Sequence, residues 1–250
     1  MGPIHSEDLV GGIGAPLTSA TMSEVLTGEI AGLRTLFHAV PPGECVTLPT
    51  TETSGRVYLF TSGNGNADDG ATQQIDEVAV WAPRHNVPLS VTAGDASLLF
   101  LELVIDLSPT DLTELEQQAH LFPLFISYSN CRTYREKIKS DKTISRTLLP
   151  EHTYPRLCIG SVQTTGDDRV AAHEHPMLEQ LFFGLQHNQC ELQADAASLA
   201  FGDGVLLHIP LGSRHGVTVQ APNELHYVWI DLFRNRQGMQ WIVDEHKHDP

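Results

Sequence analysis

The residues of this chain best suited to act together are histidines. His173, His175 and Glu179 form the pattern H-x-H-x3-E, and His215 closes a second run, Gly204-x5-Pro210-x-Gly212-x2-His215. Residues at i and i+2 of a strand project to the same side of a sheet, so His173 and His175 can turn both rings towards one point. The interruption Pro176-Met177-Leu178 can bend the chain and let the Glu179 carboxylate close on that point, and the tight turn before His215 can bring a third imidazole to it. Three neutral imidazoles and one carboxylate make a mixed nitrogen and oxygen donor set that suits Mn, Fe, Co, Ni, Cu or Zn. One divalent transition metal is therefore the expected cofactor.

Around these ligands, Arg214 is placed to greet an anionic substrate. His226, Tyr227 and Trp229, on the last strand of the second half, can reach the same interior. These four are the candidates for substrate binding, and no residue stands out as the catalytic acid or base. His187 and His208 lie off the ligand spacing and are expected in hydrogen-bonding or exposed roles, while His246 and His248 belong to an acidic, solvated tail.

The elements that must position the ligands come from a repeat. GECVTLPTTETSGRVYLF from Gly43 and GDDRVAAHEHPMLEQLFF from Gly166 match without a gap at an offset of 123, which pairs Thr50 with His173, Glu52 with His175 and Arg56 with Glu179. Later, Ile105-Asp106-Leu107 matches Ile230-Asp231-Leu232 at an offset of 125, so Asp231 is expected to hold the fold rather than the chemistry. The first half's counterpart of the second motif, Pro83 to Pro88, has no histidine at the matching place. That half cannot build the same site. An Arg56–Glu52 pair would leave it a structural, dimerisation or anion-binding role.

Within each half, short runs rich in Val, Leu, Phe and Tyr are separated by Gly, Pro, Asn or Asp: RVYLFTSG, EVAVWAP, SLLFLELVI, RLCIGSVQ, EQLFFGL and GVLLHIP. Such spacing predicts a β-barrel or sandwich. Between the halves Ser108 can N-cap a helix with Pro109 in its first turn, and Leu112, Leu115 and Ala119 form its apolar stripe. The expected organisation is an N-terminal extension (1–27), a metal-free barrel (28–107), a helical connector and linker (108–155), a metal-binding barrel (156–243) and a tail (244–250).

The two histidine segments together resemble the paired motifs of the cupin superfamily, the second matching G-x5-P-x-G-x2-H through His215. The first has six residues rather than five between Gly166 and His173, and it lacks the glycine usual after the glutamate. The resemblance implies an all-β fold of two tandem cupin (jelly-roll) barrels, with the metal held by His173, His175, Glu179 and His215. It also implies a choice of activities, since cupins include dioxygenases, decarboxylases, sugar isomerases, lyases and binding proteins. The expected function is a metal-dependent enzyme acting on a small oxygen-rich metabolite, such as a keto acid or sugar derivative. The alternative is a non-catalytic, metal-assisted ligand-binding or sensor barrel.

Bulk properties narrow the partners. Lys and Arg total 15 against 31 Asp and Glu, a net charge of -16. That field repels phosphate backbones and anionic membranes, so the expected partner is a small molecule, with a homodimer compatible with the sequence. Cys45, Cys131, Cys158 and Cys190 form no C-x-x-C pair. The opening residues carry no basic and apolar leader, and Met1-Gly2 with Ser6 meets only the minimal myristoylation pattern. The cytoplasm is the expected compartment.

Overall fold

Alternation of side chains across a strand lets a short apolar run bury one face, and each of the six runs named above forms a strand: Ser54–Ser62, Ala79–Ala82, Leu98–Asp106, Leu157–Thr165, Leu178–Gly184 and Val205–Ile209. The structure is a computed structural model that describes residues 4–10, 17–136 and 139–245. The amino-terminal Met1-Gly2 and the tail histidines His246 and His248 lie outside the described residues. Among these residues α-helix is confined to Pro109–Gln117 and Arg236–Glu245. Neither is long and apolar enough to cross a membrane.

The chain divides into two units, residues 13–131 and residues 1–12 with 132–250. In the first, a six-stranded sheet runs in the order Leu124–Ser127, Ala79–Ala82, Ser54–Ser62, Leu98–Asp106, Leu33–Val40, Thr21–Val25. A four-stranded sheet runs Cys45–Leu48, Leu89–Ala93, Gly65–Asp68, Thr72–Ile75. In the second unit the larger sheet is His5–Asp8, Val205–Ile209, Leu178–Gly184, Glu224–Phe233, Leu157–Thr165, Ile144–Tyr154, Arg132–Tyr134. Its smaller sheet is Asp168–His173, His215–Val219, Gln189–Ala194, Ala197–Gly202. The two units thus repeat one strand order, with a seventh strand added to the second. All four sheets are open. Each unit buries an apolar layer drawn from both of its sheets: Tyr58, Phe60, Trp81 and Phe100 with Leu48, Leu89 and Val91 in the first, and Phe182, Leu207 and Tyr227 with Leu192, Phe201 and Val217 in the second.

The repeat has a local cause at one place. Gly43 and Gly166 both adopt positive φ, +75° and +78°, in the turns that lead into Cys45–Leu48 and Asp168–His173, a conformation that glycine adopts without steric cost.

Three stretches differ from expectation. The helix Pro109–Gln117 forms as predicted, with the Ser108 hydroxyl accepting from Asp111 N at 3.2 Å and the Asp111 carboxylate accepting from Ser108 N at 2.9 Å. Beyond it, however, the supposed linker contains the strands Leu124–Ser127, Arg132–Tyr134 and Ile144–Tyr154. The supposed extension supplies two sheet strands, His5–Asp8 and Thr21–Val25. The end of the second barrel is a helix, Arg236–Glu245, whose Met239 and Ile242 pack on Cys158, Leu178 and Phe233.

Candidate metal centre

The smaller sheet of the second unit delivers two histidines. His173 ends one strand, His215 begins the next, and the two are direct cross-strand partners beyond a register shift. His175 follows in the turn before Leu178–Gly184. One ring nitrogen from each of His173, His175 and His215 lies within 4.8 Å of the others, close enough to share an ion. Ring centroids are 4.6 Å apart for His173–His215, 4.8 Å for His173–His175 and 5.5 Å for His175–His215.

Backbone carbonyls orient two of these rings. His173 Nδ1 donates to Ala171 O at 2.8 Å, and His215 Nδ1 donates to Ser213 O at 3.0 Å. A carbonyl only accepts, so the proton sits on Nδ1 and Nε2 keeps its lone pair for a metal. His215 Nε2 is buried with no hydrogen-bond partner. Burial, reinforced by neighbouring His173, lowers the His215 pKa to about 4, so at neutral pH the ring is an uncharged ligand.

Glu179, the fourth ligand expected from the motif, is not in this group. Strand alternation explains the correction. On Leu178–Gly184 the inward residues are Leu178, Gln180 and Phe182, which puts Glu179 on the opposite face. Its carboxylate accepts from His208 Nε2 at 3.3 Å and Arg234 Nη2 at 3.1 Å, and the His208 hydrogen bond, followed by that of Arg234, holds its pKa below the ordinary value. Gln180 stands in its place. It is buried, it lines the space beside His175 and His215, and its Oε1 has no hydrogen-bond partner.

Cross-strand register builds the rest of the pocket in rows. Asp231 lies between Cys158 and Gln180, and Trp229 lies between Gly160 and Phe182. All except Gly160 line a pocket of about 540 Å³, mouth included, that also contains His173, His175 and Tyr227. Gly160 is needed here, since a Cβ at that position would stand 2.1 Å from Trp229 Cζ2. Of the four substrate-binding candidates, Tyr227 and Trp229 line the pocket. His226 is on the opposite face of the same strand and donates Nδ1–H to Gln186 O at 3.1 Å. Arg214 is exposed, tied through its backbone N to Asp195 Oδ1 at 3.0 Å, and is not among the lining residues.

Several lining residues were not foreseen. Asp231 was assigned a role in the fold on its match to Asp106, but Asp106 is exposed and Asp231 is buried in the pocket. Burial, with Glu151 and Glu136 adding to it, raises the Asp231 pKa to about 8, against the lowering effects of a Gln180 hydrogen bond and Lys139. Lys139 Nζ donates to Glu136 Oε1 at 2.5 Å and Ser145 Oγ at 3.0 Å, and burial lowers its pKa despite that pairing. From the last helix, Ile242 lines the pocket and the Trp241 ring meets His175 edge-on with centroids 6.4 Å apart.

The first unit fills its interior differently. Arg56 pairs with Glu102, not with Glu52, and the other Glu102 oxygen is 2.7 Å from His38 Nε2. The His38 ring stacks on Phe100 at 4.6 Å. No second group of His, Cys, Asp or Glu able to hold a metal is found among the described residues.

Two-sheet units of this strand order are the cupin fold, and comparison with solved structures agrees. The chain is similar to a cupin 2 conserved barrel domain protein from Leptotrichia buccalis, with TM-score 0.64 and 13% identity over 94% of this chain and 98% of that one. It is also similar to a deletion mutant of Bacillus subtilis oxalate decarboxylase, with TM-score 0.68 and 13% identity over 97% of this chain and 81% of that one. A third similar structure, a putative glyoxylate-induced protein from Pseudomonas aeruginosa, has TM-score 0.71 and 9% identity over 87% of this chain and 82% of that one. At these identities the likeness is one of fold. No protein-family model matches the sequence, and no curated protein matches it.

Proposed function

We propose that the second unit is a cupin-type barrel that holds one divalent transition metal through His173, His175 and His215, with Gln180 Oε1 as a neutral fourth donor. On this reading the protein is a metal-dependent enzyme for a small oxygen-rich metabolite, and the first unit is a related barrel that holds no metal. The observation that carries it is His215 Nε2, a buried nitrogen with no hydrogen-bond partner on a ring grouped with two other imidazoles, one nitrogen of each within 4.8 Å of the others. An uncompensated buried polar atom costs about 1–3 kcal/mol, and an ion at this point removes that cost.

When bound, such an ion acts as a Lewis acid on a substrate oxygen. The chain's own residues supply the surroundings. Ala171 O and Ser213 O fix the ligand tautomers, Trp241 and Ile242 cover one side, and Phe182, Tyr227 and Trp229 form an apolar wall. Asp231 adds a carboxyl to the pocket wall, and burial raises its pKa to about 8.

Elemental analysis of protein purified without added metal or nickel resin tests this proposal. The expected result is one transition-metal ion per chain, lost on His215→Ala. Metal-free protein that fails to take up Mn, Fe or Zn on dialysis would overturn it.

A further inference from the structure

His175 is held differently from the other two imidazoles. We infer that the carboxy-terminal helix Arg236–Glu245 is a positioning element for the metal centre: Trp241 sets the His175 ring, and docking of the helix is coupled to metal binding. The inference deepens the metal reading above and rests on it.

The other two rings are oriented from two residues away, His173 Nδ1 donating to Ala171 O and His215 Nδ1 to Ser213 O. His175 lies past the end of Asp168–His173, in the turn that leads to Leu178–Gly184. Its carbonyl accepts from Gly212 N at 3.3 Å, in the turn before His215. Its ring meets Trp241 with centroids 6.4 Å apart and planes at 85°. Edge-to-face packing is a preferred arrangement of aromatic rings, so Trp241 favours this setting of the imidazole over its alternatives. In this setting one nitrogen of each of the three histidines already lies within 4.8 Å of the others.

The helix is seated on the same turn. At Gly238 an added Cβ would stand 2.9 Å from Met177 O and 3.0 Å from Met177 Cβ, so the missing side chain is what lets the helix come this close. Glycine is less favourable than alanine inside a helix, and close packing offsets that cost here. Just before the helix, Arg234 N donates to Met177 O at 3.2 Å. Residues three and four apart share a helix face, and Gly238, Trp241 and Ile242 turn theirs towards Met177, His175 and Leu178. A metal that binds His175 in the setting Trp241 favours must stabilise the docked helix by the factor by which the docked helix strengthens metal binding.

Hydrogen exchange read by mass spectrometry on peptides spanning residues 236–245, with and without saturating zinc, tests the coupling beside calorimetric zinc titration. Zinc should slow exchange in the helix about tenfold, and the Leu98–Asp106 strand of the first unit should not respond. Trp241→Ala should lower zinc affinity about tenfold, the low end of the range for a residue that orients a ligand, and Trp241→Phe should restore it. In Trp241→Ala saturated with zinc, the slowing in the helix should be lost. Unchanged helix exchange in wild-type protein that binds zinc, or Trp241→Ala that titrates like wild type, would overturn the inference and leave the metal proposal standing. Wild-type protein that takes up no zinc in the titration would overturn the metal proposal, and the coupling with it.

Discussion

The two units share a strand order and differ in how they settle the polar groups of their interiors. In the first, Arg56 and His38 share the Glu102 carboxylate, and the buried atoms left over include the N–H groups at Arg56 Nε and Trp81 Nε1. In the second, His215 Nε2 and Gln180 Oε1, which share one small pocket, and Asp231 Oδ1, in the larger pocket that Gln180 also lines, are left without hydrogen-bond partners. A buried ion pair adds little over a well-packed apolar core, but it is costly to break. A set of open donors costs stability until something binds. The contrast separates an interior whose open atoms include N–H groups, which cannot hold a cation, from one whose open atoms have lone pairs to offer.

The largest effect is expected from breaking the Arg56–Glu102–His38 triad. Glu102→Ala should cost about 3–5 kcal/mol, because it strands Arg56 and His38 in the interior. Urea unfolding followed through the buried Trp81 measures this, and metal content should not change. A loss below 1 kcal/mol would mean that water already reaches the triad.

Removing a ligand from the open unit should act on binding instead. His215→Ala should lower metal affinity at least a hundredfold, since loss of an orienting partner alone costs about 10–100-fold. Calorimetric titration with Zn or Mn checks it. Chelating the metal from native protein should leave the far-UV circular dichroism of both units near native. The stability lost should be about 2.7 kcal/mol if the metal stands at a hundredfold excess over its Kd. Collapse of the β signal would make the ion a structural staple.

The smallest effect bears on strand face. Gln180→Leu should weaken metal binding about tenfold, in the range for a residue at the edge of a metal site. Glu179→Ala, one position away, should leave it unchanged. The reverse result would restore Glu179 as ligand and require the Leu178–Gly184 strand to turn over.

That last pair shows where the sequence was legible. The six apolar runs became strands because short stretches rich in Val, Leu, Phe and Tyr, bounded by Gly, Pro, Asn or Asp, favour strands, and His173, His175 and His215 come together because their spacing matches a strand end, a turn and a strand start. Glu179 failed because a one-residue slip on a strand exchanges faces, and nothing in Pro176-Met177-Leu178 states how many residues the turn consumes. The offset of 123 has the same flaw, pairing Arg56, which shares a face with inward Tyr58 and Phe60, with outward Glu179. His226 failed by the same parity, while Tyr227 and Trp229 fell on the correct side. Glu136, Lys139 and Glu151 were invisible because they come from a charged stretch with no apolar alternation. Lys139 and Glu136 are withdrawn from water as an ion pair, which no local pattern records.

The strand His5–Asp8 carries a consequence for the life of the chain. It hydrogen-bonds along Val205–Ile209, with His5 opposite His208, 203 residues later. During synthesis this segment must wait, unpaired, until residues 205–209 have emerged, so the larger sheet of the second unit is expected to be completed late. Its composition, His-Ser-Glu-Asp, suits that wait, because a polar and acidic segment has little tendency to aggregate while it lacks its partner. A fragment beginning at Arg132 would lack this strand and leave the Val205–Ile209 edge open. Any attempt to express the second unit alone therefore has to bring residues 4–10 with it.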